Sequence, residues 1–146
     1  MATPIAMGAI SGLSCGMSGK PPFKIKIQFL CGDEIAMGPG KADLLEAIQD
    51  HGSISAAGRA LGMSYRRTWL LVDVMNRCWN ERLVQTVAGG SHNRGARLTD
   101  TGQQVLAAYR AIQASARASI AGPSCDRLAG MIRFEPLPAA HQTETS

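Results

Sequence analysis

The sequence has few aromatic residues and no long apolar segment. Its 146 positions include three Phe, two Tyr and two Trp, so the core must consist mainly of Leu, Ile, Val, Met and Ala side chains. No run of about 18 consecutive apolar residues is present, and we therefore predict that no segment spans a membrane. A chain of this length usually forms one domain around one core.

The cysteines show no pattern typical of a metal site or of a disulfide framework. Cys15, Cys31, Cys78 and Cys125 include no C-x-x-C pair, and no histidine lies at a matching spacing. We therefore predict no metal site and no disulfide framework, and we interpret the cysteines as free thiols in a reducing cytoplasm. Nothing in the spacing of Cys31 and Cys78 supports a redox role.

The sequence also lacks a recognisable catalytic constellation. No Ser–His–Asp or Cys–His arrangement has a spacing typical of a nucleophilic site. We therefore predict that the protein is not an enzyme.

The positive charge is concentrated in one part of the chain. The net charge is +4, and residues 53–120 hold nine Arg against three acidic residues. Residues 1–52 and 121–146 each hold one acidic residue more than basic residues. The planar guanidinium group of Arg suits phosphates and guanine edges. This distribution favours double-stranded DNA as a partner over an evenly solvated basic surface.

Residues 53–80 show the pattern of a helix-turn-helix. Ser53 or Ser55 is placed to cap a first helix, and Gly62 stands where such a helix commonly ends in a left-handed residue. Ser64 is placed to cap a second helix, which in such motifs enters the major groove. The apolar face of the first helix consists of Ile54, Ala57 and Leu61. The apolar stripe of the second helix consists of Thr68, Val72, Met75 and Trp79.

The segments before this motif predict strands and one helix. Residues 23–30 alternate between apolar and polar, which predicts a half-buried strand, and residues 34–37 form a short returning strand. A helix is predicted from Lys41 to His51. The residues expected to face inward are Phe23, Ile25, Ile27 and Phe29 in the strand and Leu44, Leu45 and Ile48 in the helix.

The segments after the motif complete a winged-helix order. Residues 83–87 and 96–98 are predicted strands, and residues 89–95 form a Gly-rich hairpin tip, the wing. Thr99 caps a long helix that runs to about Ala121. This helix is longer than a small winged domain needs, so we expect its far half to pack on a second subunit. Its apolar stripe consists of Val105, Leu106, Tyr109, Ile112, Ala116 and Ile120.

The predicted fold is therefore mainly α with a small β part (α+β). It is a winged helix-turn-helix with an N-terminal strand or hairpin and a long C-terminal dimerisation helix. We expect residues 23–121 to form this DNA-binding domain. Residues 1–22 lack the basic start of a signal peptide and are interrupted by Gly, Ser and Pro, so we expect a disordered tail. Residues 122–146 contain three Pro and few large apolar residues, and we expect a loosely ordered tail.

The candidate DNA-binding residues lie in the helix-turn-helix and in the wing. They are Ser53, Ser55, Ser64, Tyr65, Arg66, Arg67, Trp69, His92, Arg94 and Arg97. Arg66 and Arg67 lie in the first turn of the second helix, so at least one should face DNA. For Trp69 the pattern leaves two places open, packed against the predicted helix of residues 41–51 or partly exposed over a phosphate. Ser64 is either a cap alone or a cap that also contacts phosphate.

The chain resembles a known family at Gly52-Ser53-Ile54-Ser55, at Met63-Ser64-Tyr65-Arg66-Arg67-Thr68-Trp69 and at Leu98-Thr99-Asp100-Thr101-Gly102. It is similar to the N-terminal DNA-binding domain of the molybdate-responsive ModE regulators, which is related to the LysR-type helix-turn-helix. The resemblance covers roughly residues 23–121. It implies a homodimeric, cytoplasmic transcription factor that dimerises through the N-terminal strands and the long helix.

Full-length members of that family carry C-terminal modules that bind molybdate or tungstate. Only 24 residues follow Gly122, so we expect the short, single-domain form without these sensor modules. No cofactor is predicted, with molybdate or tungstate left open as a ligand. We predict a sequence-specific DNA-binding regulator related to molybdenum. Two other hypotheses remain open, a small molybdate-binding protein and a winged-helix adaptor that binds an acidic protein.

Overall fold

The computed structural model describes residues 23–88 and 94–140. The expected tail at residues 1–22 and the tip of the predicted wing lie outside these ranges. The helices are α1 (Pro39–His51), α2 (Ile54–Ala60), α3 (Tyr65–Cys78), α4 (Asp100–Ile120) and α5 (Pro123–Met131). The strands are β1 (Phe29–Cys31), β2 (Glu34–Met37), β3 (Val84–Ala88) and β4 (Arg94–Leu98). The prediction of a mainly helical fold with a small β part is confirmed.

The N-terminal hairpin is shorter than the sequence predicts. β1 pairs antiparallel with β2, with Cys31 opposite Glu34, and the register shifts between Phe29 and Leu30. The prediction of a strand over residues 23–30 is wrong for residues 23–28, because the four residues of β2 offer a partner only to the end of that segment. The alternation of apolar and polar residues still matches the burial of the side chains, because residues 23, 25 and 27 are half-buried and residues 24, 26 and 28 are exposed. Phe29 is the exception, with 40% of its surface exposed.

Helix α1 forms where Pro and Gly mark its two ends. Pro39 starts the helix with a fixed φ and without an N–H that would need a partner. Gly52 ends it in the left-handed region at φ 70°, and its N–H donates to the carbonyl of Ile48. The face predicted from the spacing is confirmed, because Leu44, Leu45 and Ile48 are fully buried.

Helices α2 and α3 follow the predicted caps and turn. The Ser53 hydroxyl accepts a bond from the N–H of Ala56 at 2.9 Å, and the Ser64 hydroxyl accepts one from the N–H of Arg67 at 3.2 Å. Between the two helices Gly62 adopts φ 70°, as expected for the residue that ends a helix. Thr68, Val72 and Met75 are buried as predicted. Leu61 is not, since 39% of its surface is exposed.

The β3–β4 hairpin connects the helix-turn-helix to α4. The strands pair antiparallel from Val84 opposite Leu98 to Ala88 opposite Arg94. Thr99 caps α4 as predicted, because its hydroxyl accepts from the N–H of Gly102 at 3.0 Å. The same hydroxyl donates to the carbonyl of Arg82 at 2.6 Å. The cap therefore also attaches the start of α4 to the start of the hairpin.

The chain divides into two compact units: residues 25–116 form one, and the described residues 23–24 and 117–140 belong to the other, so that α4 is divided after Ala116. In the unit of residues 25–116 the core is mainly aliphatic and includes Leu106 and Tyr109 of α4. The Tyr109 hydroxyl donates to the carbonyl of Ile27 at 2.7 Å. Of the predicted α4 stripe, Ile112 and Ile120 remain about 40% exposed.

The other unit contains a helix that the sequence did not predict. We expected residues 122–146 to be loosely ordered, but Pro123–Met131 form helix α5. None of its residues is buried. In the same unit the guanidinium carbon of Arg117 lies 5.6 Å from the ring centre of Phe23.

Candidate nucleic-acid interface

Helix α3 is amphipathic, and its outward face begins in its first turn. Thr68, Val72 and Met75 turn toward the core, so the residues about half a turn away from them face outward. Arg66 is exposed there, and Leu70 follows at i+4 with 53% of its surface exposed. Tyr65, the first residue of the helix, is 69% exposed. The outward surface therefore combines a cation, an aromatic ring and an aliphatic side chain.

The two arginines of the first turn are exposed and carry no carboxylate partner within the described part of the chain. Among the ion pairs of the described residues, none involves Arg66 or Arg67. Burial lowers the pKa of the Lys41 amine at the start of α1, while Glu34 and Cys78 oppose this shift and the positive charge of Arg67 adds to it. The charge of Arg67 is therefore felt at Lys41 in the folded chain.

The serines act first as helix caps. Ser53 is half-buried and satisfies the N–H of Ala56, while Ser64 is exposed and satisfies the N–H of Arg67. Ser55 is half-buried in the first turn of α2. The cap at Ser64 fixes the direction in which α3 begins, and so it fixes where Tyr65 and Arg66 point.

Trp69 packs inward and supports Tyr65. Its ring contacts the core, and its indole N–H is buried without a hydrogen-bond partner among the described residues. The ring centres of Trp69 and Tyr65 lie 6.0 Å apart. Of the two places that the sequence left open for Trp69, the structure has the packed one.

The β3–β4 hairpin lies beside α3. The two elements line a cleft of about 240 Å³. Its lining residues include Trp69, Asp73 and Asn76 from α3 and Val84 and Thr86 from β3. On the other strand, the N–H of Ala96 donates to the carbonyl of Gly52 at 2.8 Å. The hairpin is therefore attached next to Ser53, where the helix-turn-helix starts.

Asn76 fixes the hairpin to α3 through three hydrogen bonds. Its side-chain oxygen accepts from the N–H of Leu83 at 2.9 Å and from that of Val84 at 3.0 Å. Its amide nitrogen donates to the carbonyl of Val84 at 3.1 Å. One side chain of α3 thus pairs with backbone groups at the start of β3.

The predicted wing residues are described only in part. Arg97 is exposed on β4, opposite Gln85 on β3. The Gln85 amide is oriented with its oxygen toward Arg97. In this orientation the oxygen accepts hydrogen bonds from Nε of Arg97 at 2.6 Å and from Nη2 at 3.0 Å. Arg94 begins β4, and its side chain, like His92, lies outside the described part of the chain.

One acidic side chain near this surface is already neutralised. Asp73 and Arg77 form the i, i+4 pair that the sequence indicated, with 2.8 Å between Nε and Oδ2. Both side chains are more than half exposed, so the pair contributes little to stability. Its effect is to cancel the charge of Asp73 on the helix that carries Arg66.

Sequence reasoning missed three residues of this surface. Leu70 was detectable from its spacing, because it stands at i+4 from Arg66 and off the apolar stripe. Lys41 lies outside the Arg-rich segment, and only the fold brings the charge of Arg67 within range of its amine. Asn76 has no sequence signal for its role, since its partners at residues 83 and 84 become neighbours only in the folded chain.

The described residues offer little for other kinds of site. No group of three or more His, Cys, Asp and Glu in residues 23–88 and 94–140 is arranged to hold a metal ion. In the same ranges no helix is both long and apolar enough to cross a membrane.

Similarity to characterised proteins covers about half of the chain, although no family model matches it. The chain is 41% identical over 78 residues to the molybdenum transport protein ModE of Azotobacter vinelandii, which covers 53% of this chain and 29% of that protein. It is 44% identical over 78 residues to the molybdenum-pterin-binding protein MopB of Rhodobacter capsulatus, with the same two coverages. It is 35% identical over 71 residues to the DNA-binding transcriptional dual regulator ModE of Escherichia coli (strain K12), covering 49% of this chain and 27% of that protein. The chain thus spans less than a third of the length of these relatives.

Proposed function

We propose that this protein is a sequence-specific, double-stranded-DNA-binding transcriptional regulator related to molybdenum. Helix α3 enters the major groove with Tyr65, Arg66 and Leu70 toward the base edges. The β3–β4 hairpin runs along the adjacent backbone. The protein acts in the cytoplasm as a homodimer and has no enzymatic activity.

The observation that carries this proposal is the outward Arg66, which has no ion pair with any described residue, in the first turn of a helix flanked by a hairpin. An Arg in this place is suited to a bidentate contact with guanine. The exposed Leu70 next to it supplies an apolar surface of the kind that contacts thymine methyl groups. In this proposal Ser64, Arg67, Lys41 and Arg97 contact phosphates, and such contacts fix the position of the helix without reading the sequence.

A homodimer is supported by an apolar surface on the unit of residues 25–116. A cavity of about 280 Å³ opens there between the N-terminal hairpin and α4. Its lining includes Phe29, Met37, Trp79, Val105, Tyr109 and Ile112. Phe29 and Ile112 are each about 40% exposed, and a second copy would cover both. Two copies on a two-fold axis would read a pseudo-palindrome. Light scattering on the purified chain should therefore give the mass of two chains.

The DNA-binding proposal is tested with the segment upstream of the protein's own gene. Fluorescence anisotropy measures the Kd over a series of salt concentrations, and we expect log Kobs to fall linearly with log salt. Arg66→Ala should weaken binding by about 5- to 150-fold, which corresponds to about 1–3 kcal/mol for a base contact, and should change base preference.

Arg127→Ala is the matched control, because Arg127 is an exposed arginine on α5 and its loss removes the same charge. It should leave the Kd within twofold. If both variants lost the same DNA affinity, Arg66 would contribute only through its positive charge and not through a base contact. Absence of DNA binding at low salt would refute the proposal.

A second candidate is a small protein that binds a molybdenum-containing ligand. The similarity to a protein named as molybdenum-pterin-binding favours it. Calorimetry with molybdate, and separately with molybdopterin, on the DNA-free protein distinguishes the two functions. The second candidate requires stoichiometric binding of one of these ligands that is insensitive to Arg66→Ala.

A further inference from the structure

Asn76 bonds to both polar backbone groups of Val84, the first residue of β3. The N–H of Val84 donates to Oδ1 of Asn76 at 3.0 Å, and the carbonyl of Val84 accepts from Nδ2 at 3.1 Å. The N–H of Leu83 donates to the same Oδ1 at 2.9 Å. A carboxamide presents a neutral acceptor and a donor side by side, so an aliphatic or acidic side chain of the same length cannot make all three bonds.

The other strand of the hairpin has a separate attachment. The N–H of Ala96 on β4 donates to the carbonyl of Gly52 at 2.8 Å, next to the residue that caps α2. Among the hydrogen bonds of the described residues, those that join β3 and the residue before it to α3 all involve Asn76. The pairing of β3 with β4 connects the two attachments. The position of the hairpin relative to α3 therefore depends on this one side chain.

The attachment lies on the same helix as Arg66. Arg66 and Asn76 stand ten positions apart, which is about 15 Å along a helix axis. The cleft between α3 and the hairpin is lined on the helix by residues from Asn76 back to Trp69, and on β3 by Val84 and Thr86. The cleft thus extends from Asn76 toward the end of α3 that carries Arg66.

We propose that Asn76 is a positioning residue for DNA binding, which holds the β3–β4 hairpin at the distance from α3 at which both elements contact one duplex. The inference rests on the proposed function, in which Arg66 contacts a base and Arg97 of the hairpin contacts a phosphate. Asn76 itself touches no DNA in this arrangement. Its loss releases the β3 side of the hairpin, so the contact of Arg97 weakens while the contact of Arg66 stays.

The test is a double-mutant cycle on DNA binding with Asn76→Leu and Arg97→Ala. Leucine is close to asparagine in shape but makes none of the three bonds. Fluorescence anisotropy with the DNA segment upstream of the gene gives the Kd of each variant over a salt series. Arg97→Ala should weaken binding severalfold in the wild-type background and by less than about twofold in the Asn76→Leu background. Asn76→Leu alone should make the slope of log Kobs against log salt shallower by about 0.9, the value of one phosphate contact on duplex DNA.

Two comparisons separate positioning from a loss of stability. Arg66→Ala should cost the same affinity, within about twofold, in the wild-type and Asn76→Leu backgrounds, because its base contact does not depend on the hairpin. Leu106→Ala is the stability control, since Leu106 is a buried core residue of α4. At a temperature where circular dichroism shows folded protein, Leu106→Ala should leave both the salt slope and the effect of Arg97→Ala unchanged.

Asn76→Asp serves the test if Asn76→Leu does not fold. A carboxylate keeps the two bonds from the N–H groups and loses only the bond to the carbonyl of Val84. Asn80→Asp is its matched control, because Asn80 is exposed just after α3 and the change adds the same charge. Asn76→Asp should reduce the effect of Arg97→Ala more than Asn80→Asp does.

The outcomes distinguish this inference from the function on which it rests. If the wild-type protein binds DNA but Arg97→Ala costs the same affinity in every background, the role of Asn76 is overturned and the proposed function stands. An unchanged salt slope in Asn76→Leu would overturn that role as well. If the wild-type protein does not bind DNA, the proposed function and this inference both fail.

Discussion

Gly58→Ala tests the close contact between α2 and α3 that sets the geometry of the helix-turn-helix. A Cβ atom added at Gly58 would lie 2.9 Å from both Cβ and Cγ2 of Thr68 and would overlap its Oγ1. Thr68 is only 1% exposed, and its hydroxyl donates to the carbonyl of Ser64 at 2.8 Å. Thr68 therefore has no room to turn away, and the two helices must separate.

Two opposing effects decide the magnitude. Alanine is favoured over glycine inside a helix by about 0.5–1 kcal/mol, whereas an extra methyl group in a packed contact costs about 1–3 kcal/mol. Because two carbon contacts and one oxygen contact are violated together, we expect a cost near the upper end. The free energy of unfolding should fall by about 2 kcal/mol. For a unit of this size that lowers the Tm by roughly 8–16 °C.

The assay is thermal and urea unfolding followed by circular dichroism. Gly40→Ala is the matched control, since Gly40 lies in α1 and a Cβ there meets nothing within 4 Å. We expect its stability to equal or exceed that of the wild type. Thr68→Ala removes two of the three conflicting atoms, so Gly58→Ala combined with Thr68→Ala should lose less than the sum of the single changes. A Gly58→Ala protein as stable as Gly40→Ala would refute the described approach of α2 to α3.

Two further predictions concern the hydrogen bonds of the core unit. Asn76→Ala should lower the free energy of unfolding by about 2–3 kcal/mol, because it leaves the partly buried N–H groups of Leu83 and Val84 without their acceptor. Amide hydrogen exchange should become faster at both residues. Unchanged exchange rates would contradict the role of Asn76. Tyr109→Phe should cost about 0.5–1.5 kcal/mol at neutral pH through loss of the bond to the Ile27 carbonyl. Burial raises the pKa of Tyr109 above its usual value of about 10. The folded state then holds this proton more tightly than the unfolded state, so the tyrosine's contribution is complete below pH 10 and is lost as the pH rises above it. Urea unfolding at pH 8 and above pH 10 should therefore show the gap between wild type and Tyr109→Phe narrowing with pH; a constant gap would contradict this account.

The helix-turn-helix is the part that local sequence signals describe best. Ser53 and Ser64 cap their helices, Gly62 is left-handed, and Thr68, Val72 and Met75 are buried. Each of these follows from a residue type and its position relative to near neighbours in the chain. A serine hydroxyl reaches a backbone N–H three residues on, and a 3.6-residue period sets the buried face.

The N-terminal segment shows where such signals fail. The alternation at residues 23–30 predicts a strand, yet only Phe29–Cys31 pair with β2. A strand needs hydrogen bonds to a neighbouring strand. The alternation of apolar and polar residues indicates which side chains are buried, but it does not indicate how long the neighbouring strand is. For α5 the failure was different. The three Pro and the few large apolar residues of residues 122–146 predict a loosely ordered segment, although Pro at the first position of a helix is favourable.

For the candidate site, the sequence alone determined which residues begin α3 and that Arg66 falls off its apolar stripe, because both depend on spacing within one helix. Tertiary structure decided everything that joins distant segments. It placed Asn76 against the start of β3 and the Tyr109 hydroxyl against the carbonyl of Ile27. It also turned the ring of Trp69 toward the core instead of outward. The physical reason is that spacing specifies a direction around one helix axis, whereas contact between elements depends on how their buried faces pack together.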